Sequence, residues 1–296
     1  MRRPKIGIAI ASYNNKSLLM KCLKSVYNST YKNIFVVVLD DNSTDGSTDM
    51  IKNNFPSVFL IYGSGNYWWT RGTNEAIKQC LSHNCKYILV LNPDVIVPPN
   101  GIETLYNTAI IYPDSIIAPV VVSFSNPELI WWAGSTWKKL LDLLPIWSST
   151  YLYKSGTKVD CLPSQIFKTS EAHGRSVLVP NYIFQKIGLY NQEMFPHYGA
   201  DTDFSFKSRK AGFSILINPS IRVLLHTKNT GSFMGKDSLS FKNYVNLLTN
   251  RKNGEILLVW WKLLRNHLPF YGILPTYIFI ILLNTIRFWF PRQFKH

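Results

Sequence analysis

Leu91-Asn92-Pro93-Asp94-Val95 is the stretch at which the chain turns. The residues before it, Tyr87-Ile88-Leu89-Val90-Leu91, are an apolar run, and Val95-Ile96-Val97 after it leads into Pro98-Pro99. A short apolar run bounded by turn residues reads as a buried strand. Asp94 then stands just past the strand's carboxyl end, where open α/β sheets hold their ligands. A carboxylate there suits a divalent cation carrying a diphosphate, because Mg²⁺ and Mn²⁺ take oxygen ligands and keep positions open for phosphate. The competing reading is a turn aspartate bonded to its own backbone.

Outward from that stretch the same alternation repeats. Ile6 to Ala11, Ile34 to Leu39 and Val58 to Tyr62 read as buried strands, and Ser17 to Tyr27 has helical spacing in Leu18, Leu19, Cys22, Leu23 and Val26. A helix is expected after Ser47 and another near Thr73 to Leu81. Strands and helices in turn argue for a mostly parallel sheet with right-handed crossovers, flanked by helices. No Gly-x-Gly-x-x-Gly follows the first strand and no Gly-Lys-Ser/Thr loop occurs, which disfavours dinucleotide cofactors and P-loop phosphoryl transfer. Past Pro99, Ile102 to Ile111 reads as a helix and Ile116 to Val122 as a strand, while residues 125–170 read as antiparallel strands and loops contributing to an acceptor pocket.

Over 296 residues the chain is 46% hydrophobic and 14% aromatic, which excludes general disorder. Its net charge of +15 calls for an acidic partner: nucleic acid, an anionic membrane or phosphorylated small molecules. The cysteines Cys22, Cys80, Cys85 and Cys161 contain no Cys-x-x-Cys pair, and Met1-Arg2-Arg3-Pro4-Lys5 is no secretory signal. Reduced thiols on a cytosolic face are the expectation, without zinc.

Several loops carry chemistry. Asp41, at the end of the second strand, is placed to bond a base imide or a ribose hydroxyl, with no structural task evident; Asp45 and Ser47 read as helix caps. Between Gly65 and Asn74 lie Trp68 and Trp69, which suit either stacking on a base or sugar or plain packing. Arg71 in the same loop suits a diphosphate. From His197 to Phe213 a helix is expected over Thr202 to Lys210, ending at Gly212. Asp201 and Asp203 point to different sides of it, so one can cap while the other faces the cleft as a general base. Strands at Phe213 to Ile217 and Ile221 to Leu225 lead to His226, which, with Lys228 and Gly231 after it, reads as a metal or phosphate ligand or as a structural histidine.

In order and spacing these motifs resemble a family 2 glycosyltransferase of the GT-A fold. The resemblance covers about Lys5 to Gly231 and rests on Ser12-Tyr13-Asn14, Asp41 to Gly46, Gly65-Asn66 through Asn74, Asn92-Pro93-Asp94, Gly174 to Pro180 and His197 to Gly212. It is nearest to the rhamnosyltransferase-like bacterial enzymes that build surface polysaccharides. The resemblance implies transfer from a nucleoside diphosphate sugar, UDP- or dTDP-linked, to a hydroxyl of a glycan or lipid-linked glycan, with inversion. It implies that Ser12, Tyr13, Asn14, Asp41, Arg71, Asn74 and Asp94 meet the donor, with Asp41 on the base. Asp94, as the last position of the family's metal motif, and His226 would hold Mg²⁺ or Mn²⁺, Asp201 would be the general base, and Trp68, Trp69, His197, Tyr198 and Asp203 would face the acceptor. Two residues depart from the family pattern: Asn92 replaces the first metal-motif aspartate, implying looser metal binding, and Ala200 replaces the acidic residue that often precedes the base. The implied division is a transferase domain over residues 1–240, with donor half 1–122 and acceptor half 123–240, followed by a tail over 241–296.

From Lys242 onward eight basic residues face one acidic residue, Glu255. Ile256 to Leu264 and Ile273 to Phe290 are apolar; the latter's 18 positions reach roughly 27 Å against a hydrocarbon core of about 30 Å. With Pro275 and Arg287 inside, that segment reads as a helix lying in an anionic membrane interface on the inner face, and otherwise as a core pair or dimer contact. A nucleic-acid-binding protein is the rival invoked by charge, but no recognised module is present. A sugar nucleotidyltransferase would need a Gly-rich basic loop where Ser12-Tyr13-Asn14-Asn15 stands, and a catalytically dead scaffold would not need Asp41, Asp94 and Asp201 together.

Overall fold

The computed structural model describes residues 3–141, 144–226, 240–251 and 256–290. Lys228, Gly231, Lys252, Glu255, Arg292 and Lys295 lie outside the described residues.

The first half builds as its alternation demands. β1 (Ile6–Ser12) and β2 (Ile34–Asp40) pair in parallel, and β3 (Phe59–Tyr62) joins β2. β4 (Tyr87–Leu91) lies in parallel on the other side of β1. β1 and β4 are buried nearly throughout, the pattern of strands covered on both faces. The crossover helices are α1 (Lys16–Tyr27), α2 (Ser47–Asn54) and α3 (Trp68–Ser82). α1 turns Leu19, Cys22, Leu23 and Val26 to the core, the i, i+3, i+4, i+7 stripe of an amphipathic helix. Asp45 and Ser47 are not the N-caps expected: Gly46 is the N-cap of α2 and Ser47 its first residue. The Asp45 carboxylate accepts from the Lys16 amide (2.8 Å) and the Ser47 amide (3.0 Å) and so ties the starts of α1 and α2 together. The chain winds outward from β1 to β3 and returns to β4, so the strand order reverses between β1 and β4, the position at which such sheets open a crevice.

The second half enters the same sheet. β5 (Val95–Ile96), α4 (Gly101–Ile111), β6 (Ser115–Ser123) and β7 (Ile130–Trp132) come first. β8 (Ser135–Leu141) and β9 (Leu144–Tyr151) form a separate antiparallel hairpin. β10 (Phe167–Lys168) is followed by β11 (Ser176–Pro180), which runs antiparallel between β4 and β6. The helices α5 (Asn181–Ile187) and α6 (Ala200–Lys210) precede β12 (Ser214–Leu225), one bulged strand where two were expected. The expected donor and acceptor halves therefore share one sheet, because β11 and β12 both flank β6.

Among its described residues the tail holds three helices, α7 (Phe241–Thr249), α8 (Ile256–His267) and α9 (Phe270–Trp289); α7 has no counterpart in the sequence reading. α9 has 20 residues, about 30 Å, two more than expected and enough by length and composition to cross a bilayer. One stripe of it is occupied: Gly272, Thr276 and Ile280 are buried. A Cβ on Gly272 would meet the Trp147 ring at 2.3 Å, and the Thr276 hydroxyl accepts from the Trp147 amide (3.0 Å), so α9 lies along β9. The opposite stripe, Leu274, Ile278, Leu282 and Ile286, is exposed.

Candidate active site

A cleft of about 420 Å³ opens at the carboxyl ends of β1, β2 and β4. Ser12 and Tyr13 enter it from β1, Asp41 from β2, and Asn92 and Asp94 from β4. Trp68, Trp69 and His197 also line it.

Asp41 proves to have a structural task. Its Oδ1 accepts from the Gly65 amide (2.8 Å) and its Oδ2 from the amides of Tyr67 (2.8 Å) and Trp68 (3.2 Å). It thereby clamps the β3–α3 connection to the end of β2 while still facing the cleft. The residues expected in a loop there are the first turn of α3, which Trp68 enters with a positive φ of 56°. Trp69 donates its indole N–H to the Asn92 side-chain carbonyl (2.8 Å) and packs on Tyr190, at 5.3 Å between rings. The residue standing where the family has a metal-motif aspartate is thus committed, through its oxygen, to an indole.

Three expected donor contacts are placed elsewhere. Asn14, at φ 48°, accepts from the Thr44 amide (2.8 Å) and gives its own amide to the Ser43 hydroxyl (2.9 Å), joining two loops outside the cleft lining. Asn74 is buried, its amide nitrogen donating to the Tyr190 carbonyl (2.8 Å) and Gln192 (2.9 Å) and its oxygen accepting from the Tyr190 amide (3.1 Å). Arg71 is exposed and stacks on the Tyr67 ring at 4.0 Å. On a helix rather than a loop, Asn74 and Arg71 turn away from the strand ends by the helical period.

Asp94 and His226 are brought together because the end of β12 pairs with β5, and the His226 amide donates to the Asp94 carbonyl (3.0 Å). Asp94 Oδ1 and His226 Nε2 are both buried without a hydrogen-bond partner. Burial pushes the Asp94 carboxyl up and Arg175 pulls it back; burial, helped by Lys21, holds the His226 imidazole below its usual range. His226 also stacks on Phe124 at 3.8 Å. Among the described residues no three His, Cys, Asp or Glu gather as a metal cluster. Two protein ligands fit a Mg²⁺-type ion that takes its other ligands from phosphate and water.

Asp201 lies in the first turn of α6, after Gly199 at φ 87°. Its Oδ2 accepts from the Gly174 amide (3.3 Å) and its Oδ1 from the Thr202 amide (3.0 Å), while Gly199 is the N-cap of the helix. Asp203, expected toward the acceptor, is buried on the other side. His267 of α8 donates to its Oδ1 (2.7 Å) and Lys207 lies 3.5 Å from its Oδ2. Asp203 therefore binds α6 to the tail rather than facing an acceptor. His197 packs against Trp68 at 5.4 Å and Tyr198 at 4.4 Å between rings, and burial and Arg251 lower its pKa to about 4 against the pull of Asp201.

Three groups around Asp201 were not singled out by sequence reasoning: Glu171, His173 and Arg175. Glu171 is buried, accepts from the hydroxyls of Ser149 (3.1 Å) and Thr202 (3.2 Å), and is pushed up by burial and by the charge of Asp201. His173 stacks on Trp132 at 4.6 Å, its Nδ1 is without a partner, and burial lowers its pKa to about 4. The only sequence signal was the Gly174 to Pro180 stretch. That it becomes an antiparallel strand whose leading residues reach Asp201 and Asn92 depends on the whole sheet.

The architecture and the cleft define a GT-A type glycosyltransferase fold, and solved structures carry the same one. The chain superposes on a crystal structure of GalNAc-T7 with UDP, GalNAc and Mn²⁺ at TM-score 0.59 and 16% identity, over 96% of this chain and 54% of that one. The mannosyltransferase PcManGT from Pyrobaculum calidifontis, in complex with GDP-Man and Mn²⁺, gives 0.56 and 15% over 97% and 70%. The Glycosyl transferase family 2 model matches residues 7–175, and the chain belongs to that family. Glycosyltransferase GlyA of Streptococcus pneumoniae is 28% identical over 50% of this chain and 22% of its own. An uncharacterized glycosyltransferase of Rickettsia prowazekii is 27% identical over 69% of this chain and 58% of its own. The chain thus spans less than two thirds of the length of these relatives. The N-acetylglucosaminyl-diphospho-decaprenol L-rhamnosyltransferase of Mycobacterium tuberculosis is 22% identical over 87% of this chain and 86% of its own.

Proposed function

We propose that the protein is an inverting glycosyltransferase that moves a sugar from a nucleoside diphosphate sugar to a hydroxyl of a glycan or lipid-linked glycan in surface polysaccharide synthesis. The observation that carries this reading is the direct tie between Asp201 and the strand end beside Asn92-Pro93-Asp94, made by residues 174 and 175. A carboxylate fit for proton abstraction is thereby tied, through two residues, to the turn that carries one fit for a diphosphate-bound cation.

In this reading the nucleoside lies against Asp41 and the first turn of α3. Asp94 and His226 hold Mg²⁺ or Mn²⁺, which neutralises the diphosphate when bound; Mn²⁺ in both structural neighbours supports the assignment. Asp201 takes the proton of the acceptor hydroxyl, whose oxygen attacks the anomeric carbon from the face opposite the leaving group, a general-base contribution of about 10² to 10⁴-fold. The tail brings the enzyme to an anionic membrane surface bearing the acceptor. Its basic residues and the exposed apolar stripe of α9 support that, as does the lipid diphosphate in the name of the mycobacterial relative.

A panel of UDP-, dTDP-, GDP- and CMP-sugars tested by thermal shift with Mn²⁺, followed by product analysis with candidate acceptors, tests this. A donor at 100 times its dissociation constant adds about 2.7 kcal/mol to stability, a readily measured rise in Tm. Silence across the whole panel would refute the donor class.

A further inference from the structure

The dipeptide Gly174-Arg175 spans the reacting centre. Its first residue gives its amide to Asp201 Oδ2 (3.3 Å), and the carbonyl of its second accepts from the Asn92 amide (3.1 Å). Gly174 has no room for a side chain, since a Cβ would meet the Trp69 ring at 2.2 Å. Arg175 is therefore the side chain that leaves the backbone between the base and the Asn-Pro-Asp turn. Its guanidinium lies 4.2 Å over the Trp131 ring of β7, which holds a planar fork in place without using its N–H donors.

Arg175 Nε is buried and donates to nothing, and Asp94 Oδ1 is buried and accepts nothing. The two opposite charges are close enough for Arg175 to pull on the Asp94 carboxyl. Yet among the described residues no ion pair within 4.0 Å joins them. Both side chains are half-buried, and each keeps one buried polar atom without a hydrogen-bond partner. The arrangement makes sense when a ligand comes between them that offers negative oxygens to the fork and a cation to the carboxylate. A metal-bound diphosphate has both. Arg71, the arginine favoured by sequence, is exposed and stacked on the Tyr67 ring.

We propose that Arg175 binds the leaving diphosphate of the donor, its guanidinium meeting the phosphate oxygens on the side away from Asp94. The inference rests on the transfer reading above. As the acceptor O–H gives its proton to Asp201, the acceptor oxygen bonds to the anomeric carbon. The bond from that carbon to the phosphate oxygen breaks, and its electron pair stays on the diphosphate. The added negative charge develops beside Arg175, where a prepositioned charged donor stabilises the transition state more than the ground state.

The test uses the full chain, with Arg175→Gln and Arg175→Lys, and calorimetric titration of a nucleoside and its diphosphate, the base being the one the wild type binds best. Titrations run with Mn²⁺ and again in EDTA. The expected result is that Arg175→Gln binds the nucleoside as the wild type does but loses about 10-fold or more of the diphosphate's advantage in both buffers. Turnover should fall by about 10²-fold with acceptor KM unchanged, and Arg175→Lys should recover part of it. An arginine that merely balances Asp94 would lower Tm and leave the diphosphate advantage intact, and that result overturns the proposal. If Asp94→Ala loses the advantage and Arg175→Gln keeps it, only Arg175 is misassigned. If the wild type itself binds no nucleoside diphosphate, the transfer reading falls and this inference with it.

Discussion

At the residue scale the two carboxylates separate by what already occupies them. Asp201 accepts two backbone amides at a helix start, which orients its carboxylate. Asp201→Asn keeps its size and should reduce turnover by at least about 10²-fold with donor affinity little changed, measured by steady-state kinetics beside donor titration. Asp94 has an oxygen with no partner, so Asp94→Ala should weaken donor binding with Mn²⁺ present and matter little in EDTA. Full activity in EDTA would remove the metal from the scheme. His173 and His197 set an acid limit. Both are held at about 4 in the folded protein, against 6.5 as an ordinary value, so between those pH values the unfolded chain binds more protons. Their contribution is therefore intact above about pH 6.5 and is lost as pH falls toward 4. Asp94 and Glu171, pushed up by burial, pull in the opposite sense, so the histidines are read by difference. His173→Asn and His197→Asn should each flatten the fall of Tm between pH 6.5 and 4.5, and an unchanged slope would show that the imidazoles do not control it.

At the element scale, α6 has two working faces. One turns Asp201 to the Gly174 amide and the other turns Asp203 to His267 of α8. Asp203→Asn should cost about 1–3 kcal/mol of stability, since it weakens a buried charge-assisted hydrogen bond, while turnover stays within a few-fold of wild type. Urea denaturation and kinetics on the same preparation separate the two effects. If Asp203→Asn were the silent enzyme and Asp201→Asn the active one, the base would be reassigned. α3 shows the same economy: its first turn offers Trp68 and Trp69 to the cleft, and about a turn and a half further on it buries Asn74 against the Tyr190 backbone.

At the scale of the whole molecule, the tail is joined to the catalytic body rather than trailing from it. α9 rests along β9, whose Ser149 bonds Glu171 beside Asp201. A helix with one stripe packed on protein and the opposite stripe of Leu274, Ile278, Leu282 and Ile286 exposed suits a position in the plane of an interface. Ile278→Glu with Leu282→Glu leaves the packed stripe alone. It should abolish sedimentation with anionic vesicles while donor binding persists. Persistent sedimentation would remove α9 from the membrane contact, and a change in oligomeric state in its place would identify the stripe as a contact between copies.

The amino-acid sequence by itself determined the strand–helix alternation as far as β4, the family and the positions of Asp41, Asp94, Asp201 and His226, because buried strands, caps and turn motifs are local in origin. That Asp201 and Asp203 point to different sides of α6 was also readable, since helical period alone sends them there. Tertiary structure decided what depends on residues far apart in the chain. Asp41 reads as a free carboxylate until Gly65, Tyr67 and Trp68 bring their amides to it. Asn74 reads as a ligand until Tyr190 meets it, and Arg175 is unremarked until β11 slips between β4 and β6. Nothing in the pentapeptide Ser-Val-Leu-Val-Pro tells which neighbours it will have or in which direction it will run. Pairing is settled by the sheet as a whole, and with it the side chain that stands between the base and the Asn-Pro-Asp turn.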